Sequence, residues 1–189
     1  MKAFERIREQ TLPLLFGVAV CSVTMTAWLL DQGSKWLVGA LLNPNQPRTL
    51  FAPWLWLHLR HNPNGAFDLF GGLPEGLRVV CLVSLGVLAL AAIFLVSVRT
   101  LGFCRPLAVA LGLIAGGALS NFADRLFRGV VIDFIDIRIG SGLHWPTFNL
   151  ADVAITLGSL FLAVLLWQST FKSDCSRQPK PGFFEEGGK

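Results

Sequence analysis

Four long apolar stretches organise the chain: Thr11–Leu30, Leu77–Val98, Pro106–Ala123 and Ala151–Thr170. Each approaches or exceeds the roughly 20 apolar residues that a helix needs to cross about 30 Å of hydrocarbon. Each is bounded by charge, Pro or Gly. The pattern predicts four membrane-spanning helices, with Arg78 near enough to the start of the second to reach the interface. Two long connections separate them, at residues 31–76 and 124–150. The first carries Pro44, Pro47, Pro53, Pro63 and Pro74, so it is not helical throughout. Within it, Phe51–Leu59 places Trp54, Trp56 and His58 on one parity, the period of a strand with one apolar face. Gly129–Ile137 is β-branched and predicts a second strand. Trp36, Trp54 and Trp56 suit a membrane interface, where aromatic rings gather. The expected fold is therefore mainly α and membrane-embedded. Its four transmembrane helices lie beside a small extracytoplasmic β-sheet or cradle, in one domain over residues 1–170. Residues 171–189 are polar, with Pro179 and Pro181, and read as a flexible cytoplasmic tail.

Composition agrees. Hydrophobic residues make up 53% of the 189 and charged ones 15%, against about a quarter charged in a soluble domain. The net charge of +4 is modest and scattered, which argues against nucleic acid as a partner. The first run has a basic start but no small-x-small cleavage site after it, so it reads as an uncleaved helix. Lys and Arg number nine in about 37 residues of the two ends and the middle loop. The two long connections, with Arg78, hold seven in about 73. That bias puts both termini in the cytoplasm. The acids at the helix ends then gather at the opposite membrane face, where ionisable groups suggest function.

The candidate chemistry narrows by elimination. Cys21, Cys81, Cys104 and Cys175 have no metal-binding spacing and read as unpaired thiols. There is no G-x-S-x-G segment and no phosphate-binding glycine loop. His58 and His61, three apart in a strand, point to opposite faces, so no metal site is expected. Carboxylates remain. Asp133 interrupts the apolar run Val130–Phe134, and Asp152 heads an apolar helix. Two close carboxyls share a proton, so one acts as base and the other as acid, a pairing suited to water attack on a peptide bond. Structural roles stay open on spacing alone. Asp152 suits a helix N-terminus capped by Asn149, and Asp133 a surface loop. Asp124-Arg125 suits an interfacial ion pair, and Asp31 with Lys35 a helical one. Gly112 and Gly116 have the spacing of close helix packing.

Five segments, in order, resemble those of the lipoprotein signal peptidase (signal peptidase II) family. They are Asp31-Gln32-Gly33-Ser34-Lys35, Asn62-Pro63-Asn64-Gly65-Ala66-Phe67, Gly116 to Arg125, Val131-Ile132-Asp133-Phe134, and Phe148-Asn149-Leu150-Ala151-Asp152. The resemblance covers roughly residues 12–170. It implies an aspartic endopeptidase of the bacterial inner membrane, with its active site near the outer leaflet. Such an enzyme cuts prolipoproteins just before a diacylglyceryl-modified cysteine. It implies Asp133 and Asp152 as catalytic dyad, supported by Asp31, Lys35, Asn62, Asn121, Asp124, Arg125 and Asn149. It implies no metal or organic cofactor, and a lipidated prolipoprotein and membrane lipid as partners; a monomer is expected. The helix N-terminus points to Asp152 as the base. Two positions depart from the pattern: Asn64 stands at a usual glycine, followed by Gly65 for alanine, and Ser120 replaces the glycine before Asn121. The alternatives are a small transporter or complex subunit with structural interfacial acids, and a presenilin-like protease, whose G-x-G-D motif is absent.

Overall fold

The apolar runs do form helices, but longer ones than hydropathy alone marks. A computed structural model describes residues 2–51, 53–65, 69–99, 105–139 and 143–176. In chain order the elements are α1 (Lys2–Leu41), β1 (Arg48–Phe51), β2 (Leu55–Asn62), α2 (Glu75–Arg99), α3 (Arg105–Arg128), β3 (Val131–Ile139), β4 (Leu143–His144) and α4 (Leu150–Ser176). All four helices contain a segment long and apolar enough to span a membrane.

Helix α1 does not end at Asp31 as the charge pattern suggests. It continues to Leu41 because Asp31, Lys35, Val38 and Leu42 follow the helical spacing and are all buried. The charges face a partner helix and not water, so they need not mark a membrane boundary. The chain breaks at Asn43-Pro44, where Asn43 Oδ1 accepts the Asn45 N–H at 3.0 Å. Helix α3 likewise passes Ala123 and reaches Arg128. It stops at Gly129, whose φ of +74° suits the left-handed cap and whose N–H bonds the Arg125 carbonyl at 3.1 Å. Helix α4 runs to Ser176, past the expected start of the tail; residues 177–189 lie outside those described.

Helix α3 is the centre of the bundle. Half of its span is buried, against 17% or less for the other three. Small residues permit this. A Cβ on Gly112 would lie 2.6 Å from that of Val23, and one on Gly116 2.6 Å from that of Ala27. A Cβ on Gly117 would overlap the Ala151 carbonyl. These contacts draw α1 and the start of α4 against α3. At one end the bundle core is apolar, built on Phe16, Val20, Ala108 and Leu111. At the other end it is polar.

The sheet lies at the polar end, in the antiparallel order β1-β2-β3-β4. The single strand expected over Phe51–Leu59 is in fact a hairpin. Pro53 has no N–H for a ladder, and the Pro53-Trp54 turn divides β1 from β2, with the Trp56 Nε1–H on the Pro53 carbonyl at 3.1 Å. The other expected strand begins at Val131 because Gly129 caps α3. Leu59 and Phe134 seat the sheet on Val38 of α1 and on Leu42 just beyond its end. Phe148 then accepts backbone bonds from Phe134 (3.0 Å) and Ile135 (2.8 Å) and donates one back to the Ile135 carbonyl (3.1 Å). That bridge delivers the chain into α4 beside Asp133. Cys21 and Cys81 are free thiols; the side chains of Cys104 and Cys175 lie outside the described residues.

Candidate active site

Asp133 projects from β3 and Asp152 from the first turn of α4, and Asn149 joins them. Asn149 Nδ2 donates to Asp133 Oδ1 at 2.7 Å. Its Oδ1 accepts the Asp152 N–H at 3.0 Å, and Asp152 Oδ2 accepts the Asn149 N–H at 3.2 Å. The reciprocal pair is a capping box, which satisfies two backbone donors at the start of α4. Asn149 is thus helix cap and carboxylate bridge together. The remaining oxygens are held by other asparagines. Asn62 Nδ2 donates to Asp133 Oδ2 at 2.9 Å, and Asn121 Nδ2 to Asp152 Oδ1 at 2.8 Å. Neither amide can rotate freely. Asn62 Oδ1 accepts the Asn64 and Gly65 N–H groups (both 3.1 Å), and Asn121 Oδ1 accepts from Lys35 Nζ (3.1 Å) and Asn149 Nδ2 (3.2 Å).

Asp133 is 2% exposed. Burial pushes its carboxyl up to about 6; Asn62 and Asn149 donate hydrogen bonds that pull it down, and the charge of Asp152 pushes it up. Its proton is therefore within reach of near-neutral pH.

A second acid pair lies behind the first. Lys35 Nζ is fully buried and spends three donors on three oxygens: Asp31 Oδ2 at 2.5 Å, Asp124 Oδ2 at 2.7 Å and Asn121 Oδ1 at 3.1 Å. Asp31 Oδ1 reaches across to the Ala151 N–H of α4 at 2.8 Å. Asp124 also pairs with Arg128 and accepts from Gln32 Nε2 at 2.9 Å. All seven supporting residues expected from the sequence lie at this end of the bundle, but Arg125 does not pair with its neighbour Asp124. Asp124 turns to Lys35 and Arg128. Arg125 donates to the Asn121 carbonyl at 3.2 Å and lies within electrostatic reach of Asp152, Asp133 and Asp124. Its Nε is buried with no hydrogen-bond partner.

Three participants were not among the expected supporting residues. Gln32 bridges α1 to Ser120 and Asp124 of α3, Ser120 donates to Asp31, and Arg128 closes the cluster. Asn64 accepts from Arg78 NH1 at 2.6 Å, tying the turn after β2 to the start of α2. Of the histidines, His58 lies 3.7 Å from Asp136, away from the dyad, and the side chain of His144 lies outside the described residues.

The profile of the family described as Signal peptidase (SPase) II matches residues 23–168. The chain belongs to the signal peptidase II family. Lipoprotein signal peptidases of Aquifex aeolicus (strain VF5) and Shouchella clausii (strain KSM-K16) are similar to it. The first is 38% identical over 141 residues, covering 75% of this chain and 81% of the relative. The second is 39% identical over 140 residues, covering 74% and 87%. A solved bacterial membrane enzyme superposes with a TM-score of 0.73 at 23% identity, over 88% of this chain and 95% of that one, a likeness of fold. Another gives 0.69 at 26% identity, over 79% and 92%. Membership of the signal peptidase II family makes this a multi-pass bacterial membrane peptidase and sets the transporter reading aside.

Proposed function

We propose that this signal peptidase II is an aspartic endopeptidase that removes signal peptides from diacylglyceryl-modified prolipoproteins, cutting just before the lipidated cysteine. The observation that carries the reading is the single Asn149 side chain bonded to both Asp133 and the start of the turn bearing Asp152. Two acids held by amides, in no ion pair among the described residues, can exchange protons with a water between them. Asp152 is the base: it sits at a helix N-terminus, where negative charge is favoured, and accepts from a backbone N–H. Asp133, whose proton is held up to about pH 6, is the acid.

In the first step Asp152 takes a proton from water as the oxygen attacks the scissile carbonyl carbon. Asp133 gives its proton to the carbonyl oxygen, forming a neutral diol. In the second step the C–N bond breaks. Asp152 passes its proton to the leaving nitrogen, and one diol hydroxyl returns a proton to Asp133. Atoms and protons balance with water as the only co-reactant, and no step calls on a metal or organic cofactor.

The membrane setting follows from charge density. Lys and Arg concentrate at the two ends and the middle loop, which supports cytoplasmic termini and a site near the outer leaflet of the inner membrane. Lipid chains would reach that site sideways between the helices, and a single copy of the chain carries the whole site. The test is incubation of the purified protein with lipidated and unmodified forms of one prolipoprotein. Cleavage of the lipidated form alone is expected. Asp133→Asn and Asp152→Asn should each accumulate in membranes and leave the precursor intact. Persistent activity in both variants would falsify the dyad.

A further inference from the structure

We propose that the Ser120 hydroxyl is a positioning group for the reaction: it orients Asp31, and through Asp31 it sets the turn of α4 that carries Asp152. The inference rests on the dyad reading above. Ser120 is fully buried in α3, one residue before Asn121. Its Oγ donates to Asp31 Oδ2 at 2.7 Å and accepts from Gln32 Nε2 at 2.9 Å. The donor direction is forced, because a carboxylate only accepts and an amide N–H only donates.

The other Asp31 oxygen accepts the Ala151 N–H at 2.8 Å, immediately before Asp152. Asp31 is therefore stretched between α3 and α4. Its Oδ2 accepts from two donors, Lys35 and Ser120. The donors of Lys35 are saturated by Asp31, Asp124 and Asn121, so Lys35 has none left to take the place of the hydroxyl. With the hydroxyl gone, Lys35 draws the Asp31 carboxylate towards Asp124. The Ala151 bond loosens, and the first turn of α4 shifts relative to Asp133.

Alanine and glycine at this position separate positioning from mere support. Ser120→Ala removes the hydroxyl and keeps only the Cβ methyl, which cannot donate and leaves a gap smaller than a water. Ser120→Gly opens a space of about one water, lined by Asp31 Oδ2 and the Gln32 amide, so a water can bridge the two. A structural role gives the reverse order, because alanine is the better residue inside a helix.

The experiment compares wild type, Ser120→Ala and Ser120→Gly on the lipidated precursor, with melting temperatures measured in the same detergent. The expected result is a kcat lowered on the order of tenfold in Ser120→Ala, below the roughly 100-fold that a 1 Å misplacement costs. Ser120→Gly should fall less, KM should stay within about twofold in both, and Ser120→Ala should melt higher than Ser120→Gly. Three equal kcat values, activities that follow the melting order, or a change confined to KM would each overturn the proposal. The dyad reading has its own failure signature: a wild type that leaves the precursor intact, or an Asp133→Asn variant as active as wild type. Either removes the reading and this proposal together, whereas an indifferent Ser120 removes only the proposal.

Discussion

Two pairs of acids share the polar end of the bundle and are treated in opposite ways. Asp31 and Asp124 flank a buried lysine and are locked by ion pairs from which water is excluded. Asp133 and Asp152 are held by asparagine amides and backbone N–H groups. The first arrangement neutralises charge and fixes three helices; the second fixes geometry and leaves a proton free to move. A buried carboxylate touching a cation resists taking up a proton, because losing its charge strands the partner. A carboxylate held by neutral donors keeps its place in either protonation state. On the proposed reading, the difference separates scaffold from chemistry more clearly than burial does, since Asp31, Asp124 and Asp133 are all nearly inaccessible.

The largest effect should come from breaking the amide-held pair. Asp133→Asn or Asp152→Asn should lower cleavage of the lipidated precursor by about 10³-fold or more, near the upper range for general acid–base groups. Single-turnover assays at equal protein levels measure it. Breaking the ion-paired cluster should show in stability first. Lys35→Met strands two buried carboxylates and should cost about 3–5 kcal/mol. Loss of folded protein from membranes, or a collapsed melting temperature, is the readout; a stable Lys35→Met protein would mean that the cluster is not structural.

A third effect is pH-dependent. Asp133 holds its proton up to about pH 6, against 3.8 for an ordinary carboxyl. The stability this provides is fully present below pH 3.8 and is lost as pH rises through 6. Asparagine does not titrate, so the stability of Asp133→Asn relative to wild type should climb between those values and flatten above them. The total change should be about 2–3 kcal/mol, at 1.36 kcal/mol per pK unit. Any fixed penalty, such as the Asn62 and Asn149 amides now facing an amide, shifts the whole curve without changing its slope. A flat difference in melting temperature from pH 4 to 7 would contradict it. The smallest effect is at the rim of the ionic cluster. Arg128 pairs with Asp124 but is 40% exposed, so Arg128→Ala should cost under about 1 kcal/mol and leave the rate within about twofold.

Much of this site was legible in one dimension because its residues sit in short segments with unusual polar content. Asp133 stands out in an apolar run, and Asn149 precedes Asp152 by the three residues of a helix cap. The lengths of α1 and α3 were not legible. Asp31 and Asp124 look like the ends of spans when charge is assumed to face water, and only the neighbouring helix reveals that they face each other through Lys35. The strand misread at Phe51–Leu59 has a local cause, a proline that turns the chain where alternation alone predicts continuity. The roles of Gln32, Ser120 and Arg128 were not legible, because a polar side chain on a helix acquires its role from whatever packs against it.

Local order was determined by the chain itself. Runs of apolar residues long enough to span a bilayer, a glycine at the end of α3 and an asparagine three before Asp152 act over a few residues, and the 3.6-residue period registers them. The sharing of the acids was decided only by tertiary structure. Asp31 meets Ser120 and Ala151 across 89 and 120 residues of chain, and Asn149 meets Asp133 only because Phe148 docks on β3. Whether a carboxylate finds a lysine or an amide depends on which helices pack together, and no periodicity within a single segment records that.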